Sequence, residues 1–391
     1  MNRAAYLLAL CYILFYFPSG LLKSYLSQFL VNSGFSYSVA GLIVGSTFLV
    51  KIFITPTITL LADHTRSKHL LNILFAILAA VSVIVVSISQ SVFLLAAGIG
   101  LLMASRSYFQ NILESTAATV HHHGAQGGYG RVRFAGSLSV AIGTATMAGL
   151  STLGLVSDQI FIWILTLSSL FFSVVFIGAS EKENPQKEIT PSSFKPSRLK
   201  RSAFLIFTAA ALIIGAQGAY YSIGTPWLKT MGLSGSQIFI AWTIGFIAEA
   251  IAFRYSNALM SRHYCIVIPM VALCFIFRAF LIWDAPGLTQ AVISFVLQGI
   301  TFSIPHAAFV ISIRHFFSSR YSATGTSLYF AVAHGIGITI FSGTSGLILD
   351  LYGGLAWALP AVSGVTGCVV WMVSYKTSGI KTQLIHNPSS D

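Results

Sequence analysis

Charge is scarce in this chain. Only 8% of its 391 residues are Asp, Glu, Lys or Arg, and ten residues are acidic, whereas a soluble domain normally carries about 25% charged residues. The composition therefore excludes an ordinary soluble globular protein. It also disfavours an enzyme, because the few acids are mostly scattered in predicted loops and form no clustered catalytic set.

Cysteine is equally rare. The four cysteines, Cys11, Cys265, Cys274 and Cys368, fall in predicted spans with no paired spacing, so we expect neither a disulfide framework nor a metal site. The triplet at 121–123 is the one tract that resembles a metal motif. It has no acidic or cysteine partners, and we interpret it as a solvated loop.

Long apolar segments are abundant instead. Hydrophobic residues make up 55% of the chain, and uncharged runs exceed the roughly 20 residues that cross a bilayer. Hydropathy predicts an all-α polytopic membrane protein with twelve transmembrane helices, arranged as two pseudo-symmetric six-helix bundles. The predicted helices span about 4–30, 38–62, 69–88, 91–118, 132–153, 159–180, 202–228, 235–260, 264–283, 288–314, 321–350 and 354–376.

One long polar segment divides the chain. We predict an N-terminal bundle over 1–180, a linker over 181–201, a C-terminal bundle over 202–376 and a tail over 377–391. Lys and Arg of the predicted connections gather on the side of the linker, and only Lys229 falls on the other side. The positive-inside rule then predicts that the linker and both termini are cytoplasmic. We expect contact with membrane lipid but not with nucleic acid.

The two halves carry opposite charges at matching positions. The segments 35–38 and 233–236 align with an offset of 198 residues, which places Lys51 on Glu249. A charge near the middle of a span costs a few kcal/mol, so it is seldom retained without a role. Opposite charges at equivalent depths of a duplicated fold predict a transport site between the halves.

Other charged residues also occur inside the predicted helices. Such side chains face the bundle interior, because lipid cannot satisfy them. Apart from Arg254, which lies near enough to a helix end to reach the interface, cations outnumber carboxylates, so we predict a small organic anion as the substrate. The cations are Lys23, Lys51, Arg106 and Arg278, and the carboxylates are Glu114 and Glu249.

Glu249 is the best candidate for a proton-carrying residue, because burial and a nearby cation act on a carboxyl group in opposite directions. Arg278 is its expected partner, and a permanent structural ion pair is the alternative.

Trp242 shares a helical face with Glu249, and Tyr220 precedes a predicted kink. Either ring could stack on a substrate or simply pack. His306 and His334 could relay protons or bond substrate, or serve as structural histidines.

Four local motifs resemble a known family. They are the segments 128–133 and 217–221, Trp242 with Ala248 and Glu249, and Phe277 with Arg278. Together with the six-plus-six pattern they resemble the major facilitator superfamily, and within it the phenylpropionate transporters of the branch that contains lactose permease and the nucleoside–proton symporters. The resemblance implies a monomeric, non-enzymatic secondary transporter of the bacterial inner membrane that works by alternating access. It further implies proton symport of a small aromatic monocarboxylate, with the proton as coupling ion and no cofactor. A proton symporter or facilitator for a sugar or nucleoside is the alternative.

The resemblance also suggests roles for individual residues. Glu114 and Arg133 form a second possible charge pair at positions that bind substrate in the family, although Gly130 and Arg131 could equally belong to a cytoplasmic gate. Lys51 matches a basic residue of the phenylpropionate transporters, whereas Lys23 and Arg106 match none. Asp63 and Arg66 retain part of the gate-loop motif without its glycines.

The predicted tenth helix departs from the sugar permeases of this branch. It lacks their His and Glu pair, and Gln298 and Thr301 stand roughly in its place. A lactose-like proton relay therefore cannot be transferred intact to this chain.

Overall fold

Helices make up almost all of the described structure. The computed structural model describes residues 3–64, 68–89, 91–120, 128–180, 201–284, 286–316, 325 and 328–377, and it contains no strand in these ranges. The α-helices are α1 (Arg3–Asn32), α2 (Tyr37–His64), α3 (Lys68–Ile88), α4 (Val92–Val120), α5 (Gly128–Thr152), α6 (Asp158–Ser180), α7 (Arg201–Gly215), α8 (Gln217–Thr230), α9 (Gly235–Trp283), α10 (Leu288–Val296), α11 (Ile304–Phe316), α12 (Ile338–Tyr352) and α13 (Ala358–Thr377). The described structure also contains two π-helical segments, Gly299–Ser303 and Phe330–Gly337, and a 3₁₀ turn, Gly353–Trp357.

Many of these helices are long and apolar enough to cross a bilayer. Eight candidate spans occur within the described ranges, so the all-α polytopic membrane fold is confirmed. The count of twelve spans and the four predicted domain boundaries stay predictions. Of the linker, only Arg201 is described, as the first residue of α7, and the tail beyond Thr377 lies outside the described residues.

Helix α9 covers two predicted helices with continuous helical backbone. Its 49 residues would extend about 73 Å if straight, at 1.5 Å per residue. Trp242 nevertheless stacks on Tyr221, with 6.1 Å between ring centroids, while Arg278 lies over the adjacent Tyr220. The chain must therefore turn back between Trp242 and Arg278. The two arms, Gly235–Ser256 and Tyr264–Trp283, are separate candidate spans, in agreement with the predicted helices 8 and 9.

Two helix pairs make the most extensive contacts between the N-terminal half (α1–α6) and the C-terminal half (α7–α13) in the described structure. Helix α2 packs against α12, and α5 packs against α9. An offset of 198 residues moves the start of α2 onto the start of α9, and it moves α5 onto the region of α12. Since α2 corresponds to α9 and α5 to α12, the pair of α2 with α12 is equivalent to the pair of α9 with α5 under the predicted repeat. In the first pair the backbones meet closely: a Cβ on Gly41 would clash with the carbonyl oxygen of Ser342.

The first turn of α2 is capped from the other half. The backbone N–H groups of Tyr37 and Ser38 donate to the two carboxylate oxygens of Asp350, at 3.1 and 2.8 Å. Free N–H groups at a helix start attract negative charge. The equivalent start of α9 is capped locally instead, by a capping box between Ser234 and Gln237. One end of the bundle is thus fastened across the halves by a charged contact.

Candidate functional site

Arg278 lies at the centre of a fully buried polar cluster. It projects from the second arm of α9 and is 0% exposed. Its guanidinium carbon lies 3.7 Å from the ring centroid of Tyr220, and its Nη1 donates to Gln217 Oε1 at 3.2 Å and to Thr301 Oγ1 at 2.6 Å. Among the described residues its Nε and Nη2 have no hydrogen-bond partner. One face and one edge of the guanidinium are therefore held, and the other edge keeps two N–H donors.

Glu249 lies on the first arm of α9 and is 5% exposed. Its Oε2 accepts a hydrogen bond from Gln298 Nε2 at 2.9 Å, and Ser303 Oγ donates to its backbone carbonyl at 3.0 Å. Both donors belong to the segment that runs from α10 through the π-helical segment Gly299–Ser303. Such π-helical segments are rare and often mark functional sites. This carboxylate is thus positioned by one irregular helical segment.

The predicted pair of Glu249 and Arg278 is linked indirectly. Among the described side chains, each is held by other partners: Gln298 bonds Glu249, and Thr301 bonds Arg278. Gln298 directly precedes the π-helical segment Gly299–Ser303, and Thr301 lies within it. Two side chains of one segment therefore bind the carboxylate and the guanidinium, respectively.

Lys23 brings a cation from the N-terminal half to this cluster. Its ammonium lies 5.3 Å from the ring centroid of Tyr221 and 5.2 Å from that of Phe246. A cation within about 6 Å of an aromatic ring is attracted to its face. Since Tyr221 is the neighbour of the tyrosine beneath Arg278, Lys23 lies at the interface of the halves, close to the central cluster.

Trp242 belongs to the aromatic packing around the cluster. It is fully buried, and its ring centroid lies 5.4 Å from that of Phe246 and 4.2 Å from that of Phe295. Its indole N–H donates to Thr225 Oγ1 at 2.9 Å. Because the polar atom of the indole already has a partner, Trp242 can offer a substrate only its ring.

Arg106 lies in α4 and is bound to α1. Its Nη2 donates to the carbonyl oxygen of Phe15 at 2.9 Å and to Ser19 Oγ at 2.6 Å. Its guanidinium carbon lies 4.5 Å from the Phe15 ring centroid. These contacts favour a structural role in joining two helices over the predicted role in substrate binding.

His306 and His334 do come together. His306 Nδ1 lies 2.7 Å from Tyr329 Oη and 3.4 Å from His334 Nε2. The His306 ring is 7% exposed and contacts Phe253 and Phe302. Phe253 follows Glu249 by one helical turn, so the histidines lie about one turn of α9 away from Glu249. Their role as a relay stays a prediction.

Five predicted site residues are not described at the side-chain level. Lys51 and Asp63 lie on α2, Glu114 on α4 and Arg133 on α5, but their side chains are outside the described structure. Arg66 lies outside the described residues altogether. Conversely, Gln217, Gln298 and Thr301 bind the two charged groups but were not predicted as site residues. The feature of the sequence that could have identified them is an amide or hydroxyl side chain within an otherwise apolar span.

The chain as a whole is similar to known transporters. A family model described as the MFS_1-like family matches residues 6–358. The chain belongs to the MFS_1-like family. This MFS protein is 24% identical over 375 residues to the probable 3-phenylpropionic acid transporter of Escherichia coli (strain K12), with 91% of the chain and 94% of the relative covered. The resemblance found from the sequence motifs is thereby confirmed.

Solved structures show the same fold. The nucleoside transporter NupG superposes on this MFS chain with a TM-score of 0.78 at 16% identity, covering 96% of this chain and all of the other. A bacterial homologue of the human lysosomal transporter Spinster, in an inward-facing and occupied conformation, gives a TM-score of 0.71 at 14% identity, with 97% and 96% covered. The chain is an MFS transporter and an integral membrane protein, which points away from an enzyme.

Proposed function

We propose that this transporter takes up a small aromatic monocarboxylate together with protons, across the bacterial inner membrane and with both termini in the cytoplasm. The free edge of Arg278 is the observation that carries the proposal. Two parallel N–H donors on one guanidinium edge match the two oxygens of a carboxylate, and burial strengthens such a contact. A neutral sugar or nucleoside would not use the positive charge.

The charge balance supports an anion. Among described side chains deep in the spans, Lys23, Arg106 and Arg278 are cations and Glu249 is the carboxylate. Bound substrate would reduce this excess of positive charge. The E. coli relative is named for an aromatic acid of this kind, and the rings of Tyr220, Tyr221 and Trp242 provide apolar surface beside Arg278.

The geometry also supports coupling to protons. Glu249 and Arg278 are held by two side chains of one helical segment, Gln298 and Thr301, and a nearby cation is one of the main influences on a buried carboxyl group. When a substrate carboxylate binds Arg278, it neutralises that cation, and Glu249 then gains by taking up a proton. Substrate and proton would therefore bind together and leave together, with Gln298 and Thr301 connecting the two groups. The coupling ion in this mechanism is the proton.

Uptake of labelled 3-phenylpropionate into vesicles that contain the purified protein tests the proposal. We expect accumulation with an inward proton gradient and its loss with a protonophore. Accumulation that survives the protonophore would contradict proton coupling. Uptake of labelled uridine that unlabelled 3-phenylpropionate does not inhibit would instead favour a nucleoside transporter.

The variant Glu249→Gln tests the role of the carboxylate. We expect it to exchange labelled for unlabelled acid across the membrane while losing accumulation against a gradient, because the amide cannot take up and release a proton. The matched control is Asp284→Asn, an exposed acid at the end of the same helix, which should behave like the wild type. Accumulation retained by Glu249→Gln would contradict the proposed role.

A further inference from the structure

A cavity lies at the end of the bundle where α1 and α8 finish. Its volume is about 270 Å³, close to the lower end of the roughly 300–1,000 Å³ range of small-molecule sites. It lies between the two halves and is separate from the cluster around Arg278. The lining residues used below are Tyr25, Gln28, Asn32, Asp158, Lys229 and Phe239, and we call this space the end cavity.

Polar groups of both halves face each other across the end cavity. Thr225 Oγ1 donates to the carbonyl oxygen of Ser24 at 2.5 Å, which fixes α8 against α1. Gln28 follows Ser24 by four residues, and Lys229 follows Thr225 by four, so each lies about one turn further along its helix. Both line the cavity. An amide on one helix and an exposed ammonium on the other therefore flank the same space.

A hydrogen-bond chain determines which atom of Gln28 is unused. Asp158 Oδ1 accepts from Tyr25 Oη at 2.8 Å and from Asn32 Nδ2 at 3.1 Å. Because a carboxylate can only accept, the amide nitrogen of Asn32 must point toward it, and its Oδ1 must point away. Gln28 Nε2 donates to that oxygen at 2.7 Å. Gln28 Oε1 is then left as an acceptor, and it has no partner among the described residues.

Gln28 Oε1 is shielded from solvent, and a rotation of the Gln28 side chain would let this unused acceptor receive a hydrogen bond from a ligand hydroxyl in the cavity. Gln28 is 5% exposed, and a buried polar atom without a partner costs free energy that a ligand hydroxyl can recover. The walls suit an aromatic ring: the centroids of Tyr25 and Phe239 are 5.9 Å apart. Lys229 offers a cation for a carboxylate. The charge of Asp158 opposes an anion, but its Oδ1 already receives two hydrogen bonds.

We propose that the end cavity is a loading site for the transported acid, and that it prefers aromatic carboxylates whose ring carries a hydroxyl. The carboxylate binds Lys229, the ring lies against Tyr25 and Phe239, and the ring hydroxyl donates to Gln28 Oε1. This inference rests on the proposed function, since it takes aromatic acids as the substrate. It adds a second binding site and a preference within that class.

Uptake kinetics test the two contacts separately. With 3-phenylpropionate and 3-(4-hydroxyphenyl)propionate as labelled probes, we expect Lys229→Gln to raise KM for both acids, roughly threefold to tenfold, with little change in maximal rate. Gln28→Leu should raise KM to a similar extent for the hydroxylated acid alone. The matched control is Lys376→Gln, an exposed lysine at the end of α13, which should change neither. An equal effect of Gln28→Leu on both acids, or an unchanged KM in Lys229→Gln, would overturn the proposal.

Equilibrium binding separates this inference from the proposed function. Purified protein should bind two molecules of 3-(4-hydroxyphenyl)propionate per chain, Arg278→Gln should bind one, and Arg278→Gln combined with Lys229→Gln should bind none. If the wild type shows no proton-driven uptake but Arg278→Gln still binds one acid through Lys229, the loading site stands and the proposed function fails. If uptake is proton-driven but the wild type binds one acid, unaffected by Lys229→Gln, the loading site fails.

Discussion

Two arginines within the spans, Arg106 and Arg278, are held in different ways. Each stacks on an aromatic ring, Arg106 on Phe15 and Arg278 on Tyr220. Arg106 donates to a backbone carbonyl and a serine of one neighbouring helix. Arg278 is held only by side chains from two other helical segments, and it keeps two nitrogens without a partner in the described structure.

This difference separates a charge that fastens helices from a charge that is positioned to bind. A guanidinium bound to backbone cannot change partner without moving a helix, whereas side-chain partners can reorient. Unused donors on a buried cation have an energetic cost, because burial of an unpaired polar group is unfavourable. A substrate carboxylate at Arg278 would remove that cost, and no such gain is evident at Arg106.

The largest difference is expected when each arginine is replaced separately by glutamine. Arg278→Gln should lower kcat/KM for 3-phenylpropionate uptake by about 100-fold, since losing one partner of a buried charge pair costs 2–5 kcal/mol or more. Arg106→Gln should change it by less than about threefold while lowering the thermal unfolding midpoint in detergent. Equal losses of uptake in both variants would remove the distinction.

An intermediate effect is expected at the bridge between Glu249 and Arg278. Gln298→Leu removes the hydrogen-bond donor that positions the carboxylate of Glu249, so the proposed proton step at this residue should be impaired. We expect the accumulation ratio of labelled acid to fall about tenfold, in line with the 1.5–3 kcal/mol of a hydrogen bond to a charged group, while exchange persists. Gln290→Leu, at an exposed glutamine of α10, is the control and should accumulate normally. Loss of exchange together with accumulation would contradict this role of Gln298.

The smallest effects should come from removing one hydroxyl beside each arginine. Thr301→Val removes a partner of Arg278 and should raise KM roughly threefold with little change in stability. Ser19→Ala removes a partner of Arg106 and should lower the free energy of unfolding by about 1–2 kcal/mol with an unchanged KM. Kinetic and denaturation measurements on both variants provide the check, and a reversed pattern would exchange the roles assigned to the two arginines.

The sequence predicts the charged members of the site because charge in an apolar span is rare and therefore visible. Glu249 and Arg278 stand out for that reason. Gln217 and Thr301 do not, since uncharged polar residues are common in helices and nothing local marks the ones that meet a charge. Gln217 reaches Arg278 across 61 residues of sequence, and such a contact follows only from the packing of three helices.

The helical architecture was predictable for a similar reason, and its irregular parts were not. Apolar length and the 198-residue repeat predict the spans, and the pairing of α2 with α12 and of α5 with α9 agrees with that repeat. The π-helical segments that position Gln298 and Ser303 leave no periodicity signal. The end cavity was not predicted because Asp158 is 126 residues from Asn32 in sequence and joins the pair of Gln28 and Asn32 only when α6 meets α1.

The cap that Asp350 forms on α2 has a consequence for the resting state of the transporter. If the halves rock apart at this end during transport, two charge-assisted hydrogen bonds must break in every cycle and form again. Even 1–2 kcal/mol in favour of the capped form sets a population ratio of about 5 to 30 before any substrate arrives. A substrate would then be selected partly by how far its binding free energy offsets this preference for the capped form. A residue distant from the binding cluster could therefore set the apparent affinity.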